Sequence, residues 1–98
     1  MATLTARATR KVGYARSTPE DPNLERQREA LQRFGCSVVF ECRSRESDFE
    51  PLHSAIAGLG QGDVLVVWSN DSLGLPVYIV GDLVRRHGAS LVQLARQA

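Results

Sequence analysis

Side chains able to do chemistry concentrate in three polar segments of this 98-residue sequence. Each segment follows a short apolar stretch, and they read ARSTPEDPN (15–23), CRSRESDF (42–49) and SNDSLGLP (69–76). They supply hydroxyls, which act as nucleophiles once a base removes their proton, and guanidinium groups, which bind anions through two-point hydrogen bonds. Brought together, they could form a catalytic site or a site for a small anion or nucleotide.

Seven alternating strand and helix patterns hold these segments. Asn23 is a predicted N-cap, followed by a helix with Leu24, Ala30, Leu31 and Phe34 at helical spacing and Gly35 as its stop. The second helix is expected to bury Leu52, Ala55, Ile56 and Leu59, and the third to turn Ile79, Val80, Leu83 and Val84 inward. The predicted strands are KVGYARS (11–17), CSVVFEC (36–42), DVLVVWS (63–69) and ASLVQLA (89–95), and the predicted helices span 24–35, 51–60 and 77–88.

The alternation of strands and helices predicts parallel pairing through right-handed crossovers. We therefore expect a three-layer α/β/α domain with a four-stranded, mainly parallel sheet in the order two, one, three, four. The third strand is almost continuously apolar and is expected at the centre, covered on both faces. In such sheets, ligands and chemistry gather beyond the carboxyl ends of the strands, where the three polar segments lie.

Length and composition limit the classes of protein that fit. The chain is 43% hydrophobic and 23% charged, and 98 residues suffice for one small core. We expect a disordered leader over 1–10 and one domain over 11–98. No apolar run is long enough for a membrane span and no signal peptide is evident, so the predicted location is cytoplasmic.

Neither a cofactor nor a metal ion is expected. Cys36 and Cys42 lie six residues apart without CxxC spacing, and His53 and His87 are assigned to helix surfaces. No Walker loop or Gly-x-Gly-x-x-Gly motif supports nucleotide binding. The net charge is only +1 with both signs interleaved, whereas duplex-binding modules usually carry a basic face.

Several motifs carry a family resemblance when taken together. In order and at nearly unbroken spacing they are VGYAR, NLERQREAL, GC, FE, GDVLVVW and, with one intervening residue, D-x-LG. From about residue 11 to 94 the sequence resembles the catalytic domain of the serine site-specific recombinases, the resolvase and invertase family. The resemblance implies a resolvase-like fold and a serine nucleophile that attacks a DNA phosphodiester, forming a phosphoserine link while arginines neutralise the phosphate.

Carried over to this sequence, the resemblance assigns Arg16 as the strand-end arginine and Ser17 or Thr18 as the nucleophile. Unslipped alignment places the family serine on Thr18, whereas a slip of one residue uses Ser17, which points to the opposite face of an extended strand. Gln27 and Asp71 match two further family site positions. From the residues alone, Arg16 is equally a solvated or paired strand-end arginine, and Asp71 is favoured as a helix cap.

Other positions depart from the family pattern. Phe49, Ser72 and Leu75 stand where the family carries phosphate-binding arginines, Cys42 replaces an acid, and Pro22 replaces a glutamine. Losing one charge-assisted contact typically costs about a hundredfold or more in rate, so three such losses predict little or no cleavage.

The resulting hypothesis is a degenerate resolvase-like domain without competent recombinase chemistry, which acts through a protein partner or weak homo-oligomerisation and binds DNA weakly or not at all. The chain stops before the long dimer helix and DNA-binding domain that the family would carry. The alternative is an active or conditionally active resolvase or invertase domain with Ser17 as nucleophile, completed by a partner or a longer chain. A small-anion or nucleotide-binding module is the third possibility.

Overall fold

The computed structural model describes residues 10–17, 23–42, 49–69, 73 and 75–94. Within them, strands and helices alternate as predicted, each slightly shorter than its sequence pattern. The elements are β1 (Lys11–Arg16), α1 (Leu24–Arg33), β2 (Val38–Cys42), α2 (Glu50–Ala57), β3 (Val64–Val67), α3 (Val77–Arg86) and β4 (Ser90–Gln93).

The four strands form one parallel sheet in the order β2-β1-β3-β4, which confirms the predicted order. β1 and β3 are the central strands, and Leu65 and Val66, on opposite faces of β3, are both fully buried. In β1, every residue from Val12 to Arg16 is buried. This follows from its position between two parallel neighbours, with a helical layer on each face.

The sheet separates two apolar clusters of unequal size. On one face, α2 and α3 pack through residues such as Leu52, Ile56 and Val80 against Val12 and Leu65 of the sheet. On the other face, α1 contributes Leu31 to a smaller cluster with Ala15 and Val66. The predicted inward face of the second helix is confirmed, since Leu52, Ala55, Ile56 and Leu59 are all buried.

Gly13 allows α1 to approach β1 closely. A Cβ atom at this position would lie 3.2 Å from Cys36 Sγ, 3.2 Å from Val39 Cγ2 and 3.3 Å from Leu31 Cβ. These distances are tighter than ordinary van der Waals contact. The glycine thus brings α1, and with it Gln27, against the end of β1.

Two residues predicted to face inward are partly exposed instead. Ile79 and Leu83 are 40% and 37% exposed, because α3 turns only the stripe containing Val80 and Val84 fully onto the sheet. Phe34 is 39% exposed, lying one residue beyond α1 with the Lys11 ammonium 4.6 Å from its ring centroid. In α3, the apolar stripe is wider than the face that packs on the sheet.

The expected leader lies outside the described residues, apart from its last residue. Arg10 donates to a carboxylate oxygen of Asp63 at 3.0 Å and also to the carbonyl oxygen of Gly58. Asp63 is buried and accepts a second hydrogen bond from the Gly60 amide at 2.8 Å. Within the described residues, no helix is long and apolar enough to cross a membrane.

Candidate functional site

The carboxyl end of β1 is fixed to α1 by a side chain. Gln27 Oε1 accepts from the Arg16 amide at 3.1 Å, and Gln27 Nε2 donates to the Arg16 carbonyl oxygen at 3.0 Å. Gln27 is fully buried, one turn into a helix whose N-terminus is capped by the Asn23 side chain accepting from the Arg26 amide. The glutamine therefore pairs with Arg16 much as a neighbouring strand would.

The Arg16 side chain lies inside the protein. Only 8% of the residue is exposed, and its guanidinium carbon lies 5.7 Å from the centroid of the Phe49 ring. Burial raises the pKa of the nearby Tyr14 phenol, while the adjacent Arg16 side chain opposes the rise. The Tyr14 hydroxyl has no partner in good hydrogen-bond geometry among the described residues, although Arg16 and Cys42 are close enough to influence its ionisation.

Ser17 follows directly at the point where β1 ends. It is half-buried, and its amide donates to the Cys42 carbonyl oxygen at 3.4 Å, extending the pairing of β1 with β2 by one residue. The structure thus brings Arg16, Ser17 and Gln27 together at one edge of the sheet. Thr18 and Asp71 lie outside the described residues, as do Pro22 and Ser72, so the choice between the two hydroxyls stays a prediction.

Phe49 and Leu75, two of the positions where the resemblance expects arginines, meet in one apolar depression. Phe49 immediately precedes α2, and Leu75 lies two residues before α3. Between these helices is a cavity of about 280 Å³, which we call the α2–α3 groove. Its lining consists of Phe49, Leu52, His53, Ile56, Ala57, Leu75, Leu83 and His87. The two departures therefore contribute to a shared apolar surface.

Arginines of α1 also reach this edge of the sheet, which sequence reasoning missed. Arg26 places its guanidinium carbon 5.4 Å from the ring centroid of Trp68, which follows β3 and is only half-buried. Arg28 donates to a Glu41 carboxylate oxygen at 3.0 Å. Residues two apart do not lie on the same face of a helix, so the sequence did not suggest that Arg26 and Arg28 act together. Only the packing of α1 shows that both side chains lie near the strand ends.

Metal-binding chemistry finds no support in the part of the chain that the structure describes. It contains no group of three or more His, Cys, Asp or Glu side chains able to hold a metal ion. Cys36 and Cys42 are free thiols, the first half-buried and the second buried. Burial raises the pKa of the Cys36 thiol, although the positive charge of Lys11 opposes the rise.

Sequence comparison identifies relatives of this chain. The serine recombinase gin of Escherichia phage Mu is 37% identical over 81 residues, which cover 76% of this chain and 42% of the phage protein. This chain is a homologue of the serine recombinases. The DNA-invertase hin of Salmonella typhimurium is 37% identical over 68 residues, covering 67% of this chain and 36% of the invertase. The DNA-invertase of Escherichia phage P1 is 35% identical over 65 residues, 64% of this chain and 35% of that protein.

The matched residues make up a larger fraction of this chain than of the serine recombinases and invertases it resembles. The chain spans about two fifths of the length of gin and a little over one third of the two invertases. No protein-family model matches the chain. The resemblance read from the sequence motifs is confirmed, whereas the roles of individual site residues stay predictions.

Proposed function

We propose that this serine recombinase homologue is a resolvase-like domain, spanning 11–98, that does not itself cleave DNA and acts instead through contacts with protein. The burial of the Arg16 side chain carries the proposal. A phosphate-binding arginine must place its guanidinium where a DNA backbone can reach it, because preorganised cations stabilise the charge that develops on phosphate oxygens. Here that group lies under the Phe49 ring, and the residue is only 8% exposed.

The surroundings of Arg16 point in the same direction. Phe49 and Leu75 bring apolar side chains where the resemblance expects guanidinium groups, and both line the α2–α3 groove. Gln27, expected in the site, uses its amide on the Arg16 backbone. These features favour a scaffold retained without a phosphate clamp.

Contacts with protein are supported by the outer surface of α3. Four of its apolar residues are exposed by more than a third: Val77, Tyr78, Ile79 and Leu83. Tyr78 alone is 73% exposed, and aromatic residues of this kind are enriched at protein interfaces. We expect either a protein partner or weak self-association through this surface, and duplex DNA binding that is weak or absent.

The decisive test of cleavage is incubation of the purified chain with supercoiled plasmid, followed by denaturing separation to detect DNA covalently attached to protein. We expect no adduct. An adduct that is lost in Ser17→Ala and retained in Thr18→Ala would replace the proposal with an active enzyme using Ser17. Loss only in Thr18→Ala would instead assign the nucleophile to Thr18.

The homology itself favours the alternative function, an active or conditionally active resolvase or invertase domain. Ser17 lies beside Arg16 at the strand end, and the similar proteins are named as recombinases and DNA invertases. Under this alternative, a partner or a longer chain supplies the positive charges that are missing because Phe49 and Leu75 stand where arginines are expected. It also moves the Phe49 ring away from the Arg16 guanidinium. Cleavage that appears only when a full-length invertase is added, and that disappears in Ser17→Ala, would establish it.

A further inference from the structure

The α2–α3 groove has the size and the lining of a small-molecule site. Its volume of about 280 Å³ lies just below the roughly 300–1,000 Å³ typical of ligand pockets. Among its lining residues, Leu52 and Ile56 are buried, and Phe49 and Leu75 are half-buried. A space of this size and apolar character suits a ligand with one or two fused rings.

The groove offers no opposite charge to an ionic ligand. Apart from His53 and His87, the side chains that line it are all apolar, and no carboxylate, lysine or arginine is among them. A charged ligand would lose part of its hydration in the groove without gaining an ion pair, which is costly. The lining therefore favours a neutral ligand.

The hydrogen bond made by His87 determines which polar group such a ligand needs. His87 Nδ1 lies 3.1 Å from the Leu59 carbonyl oxygen. A carbonyl oxygen can only accept, so Nδ1 carries a proton and donates it to this bond. In a neutral imidazole the other nitrogen, Nε2, is then an acceptor. A ligand that pairs with His87 Nε2 must supply a donor.

An apolar space beside an imidazole with a fixed acceptor fits a flat aromatic body that carries one donor. We propose that the α2–α3 groove binds a neutral fused-ring aromatic of the naphthol or indole class, whose O–H or N–H donates to His87 Nε2. The ring system packs against Leu52 and Ile56. This site is independent of the proposed function, because a ligand can occupy the groove whether or not the chain cleaves DNA.

Two matched ligands test the need for a donor. Naphthalen-2-ol and its methyl ether share one ring system, but only the naphthol has an O–H. Each is titrated into the isotope-labelled chain at about pH 8, where imidazole side chains are neutral, and amide chemical shifts are followed. We expect saturable shifts at Ile56, Leu83 and His87, and affinity for the naphthol about three- to tenfold above that for the ether. Naphthalene-2-carboxylate should bind more weakly than the naphthol, because no cation in the lining meets its charge.

Variants identify the acceptor and locate the ligand. His87→Leu removes Nε2 and should abolish the preference for the naphthol over the ether, whereas His53→Leu should retain it. Ala57→Phe fills the groove from an exposed position and should abolish binding of both ligands. Gln32→Phe adds the same ring at an exposed position of α1 and should leave binding unchanged.

Several results would overturn the inference. They are the absence of saturable shifts at millimolar ligand, equal affinities for naphthol and ether, or a carboxylate that binds as tightly as the naphthol. A preference that survives in His87→Leu or is lost in His53→Leu would reject His87 as the acceptor, and unchanged binding in Ala57→Phe would reject the groove. If sedimentation shows a dimer that dissociates in Ala57→Phe, and the native chain binds neither ligand, a second copy covers the groove instead. If a variant does not fold, the comparison of naphthol with ether on the native chain decides.

Discussion

Gln27 makes two hydrogen bonds to the backbone of Arg16, accepting from its amide at 3.1 Å and donating to its carbonyl oxygen at 3.0 Å. Both residues are buried, so water cannot replace either bond. A side-chain amide has the donor and the acceptor that a peptide group offers, and here it completes the pairing of β1 where the strand ends. The position of Arg16 and Ser17 therefore depends on a residue of α1.

Replacing Gln27 with leucine should destabilise the chain by about 2–6 kcal/mol, because two buried backbone groups each lose a partner at about 1–3 kcal/mol. Urea unfolding followed by circular dichroism would measure the change. Gln32→Leu is the matched control, since Gln32 is exposed on the same helix and should change stability by no more than about 0.5 kcal/mol. Equal stabilities of the two variants would show that the pairing with Arg16 contributes nothing.

The fold could be predicted because its signals are local and repeated. The continuous apolar run at Val64–Val67 indicated a central strand, and the alternation of elements indicated parallel crossovers. Ile79 and Leu83 were predicted wrongly, since an apolar stripe on a helix does not show how much of its width a neighbouring layer covers. Because α3 packs against the sheet on one side only, part of its apolar stripe stays exposed.

The candidate site was harder to predict than the fold. The sequence placed Arg16 at a strand end, but it did not show the contact of the Arg16 guanidinium with the ring of Phe49, which lies 33 residues further along the chain. The spacing of Gln27 identified a helix position and not a pairing with a backbone eleven residues away. Phe49 and Leu75 came to attention as departures from a family pattern, and only the packing of α2 and α3 shows that they share a groove.

Asp63 should contribute more to stability than its ion-pair partner Arg10. The Asp63 side chain is 1% exposed and also accepts from the Gly60 amide, whereas the Arg10 side chain is 43% exposed. Removing the carboxylate in Asp63→Ala leaves the half-buried Gly60 amide and the Arg10 guanidinium without their acceptor and should cost about 1–3 kcal/mol. Arg10→Ala should cost less, because the Arg10 side chain is partly exposed and Asp63 keeps the hydrogen bond from the Gly60 amide. Urea unfolding of both variants would test the order, and a larger loss in Arg10→Ala would contradict it.

Stability should fall at alkaline pH because of Tyr14. Burial raises its pKa above the ordinary 10.0, so the folded chain holds the phenol proton more tightly than the unfolded chain. The contribution of the protonated Tyr14 phenol to the free energy of unfolding is fully present below pH 10.0. It is lost as the pH rises through the higher pKa of the folded state. Tyr14→Phe should unfold in urea like the native chain near neutral pH and lose less stability above pH 10.0.

Ionisation of Cys36 should also lower stability at alkaline pH, beginning at a lower pH than that of Tyr14. Burial raises the pKa of Cys36 above the ordinary 9.0. The loss of stability that its ionisation causes therefore begins at lower pH and is still present in Tyr14→Phe. A Cys36→Ala variant serves as the control that separates the two groups. If Tyr14→Phe and the native chain lost stability identically above pH 10.0, the phenol would not be the group responsible.

Restoring cations at Phe49 and Leu75 should create DNA affinity that the native chain lacks. We expect native binding to duplex DNA to be weak and to vanish near physiological salt. In the double variant Phe49→Arg/Leu75→Arg, two added phosphate contacts would steepen the slope of log affinity against log salt by about 1.8. This corresponds to an additional loss of DNA affinity on the order of tenfold between 50 and 200 mM salt. Fluorescence anisotropy with a labelled duplex would measure it.

The control for this variant must add the same charge elsewhere. Gln32→Arg/Gln61→Arg does so, since both glutamines are exposed and neither lies at the carboxyl ends of the strands. If the proposal is right, the control binds less tightly and with a shallower slope, because its guanidinium groups do not converge beside Arg16. Identical slopes in the two double variants would show that these loops have no residual phosphate-binding geometry, and a covalent DNA adduct in the Phe49→Arg/Leu75→Arg chain would show that the nucleophile is still competent.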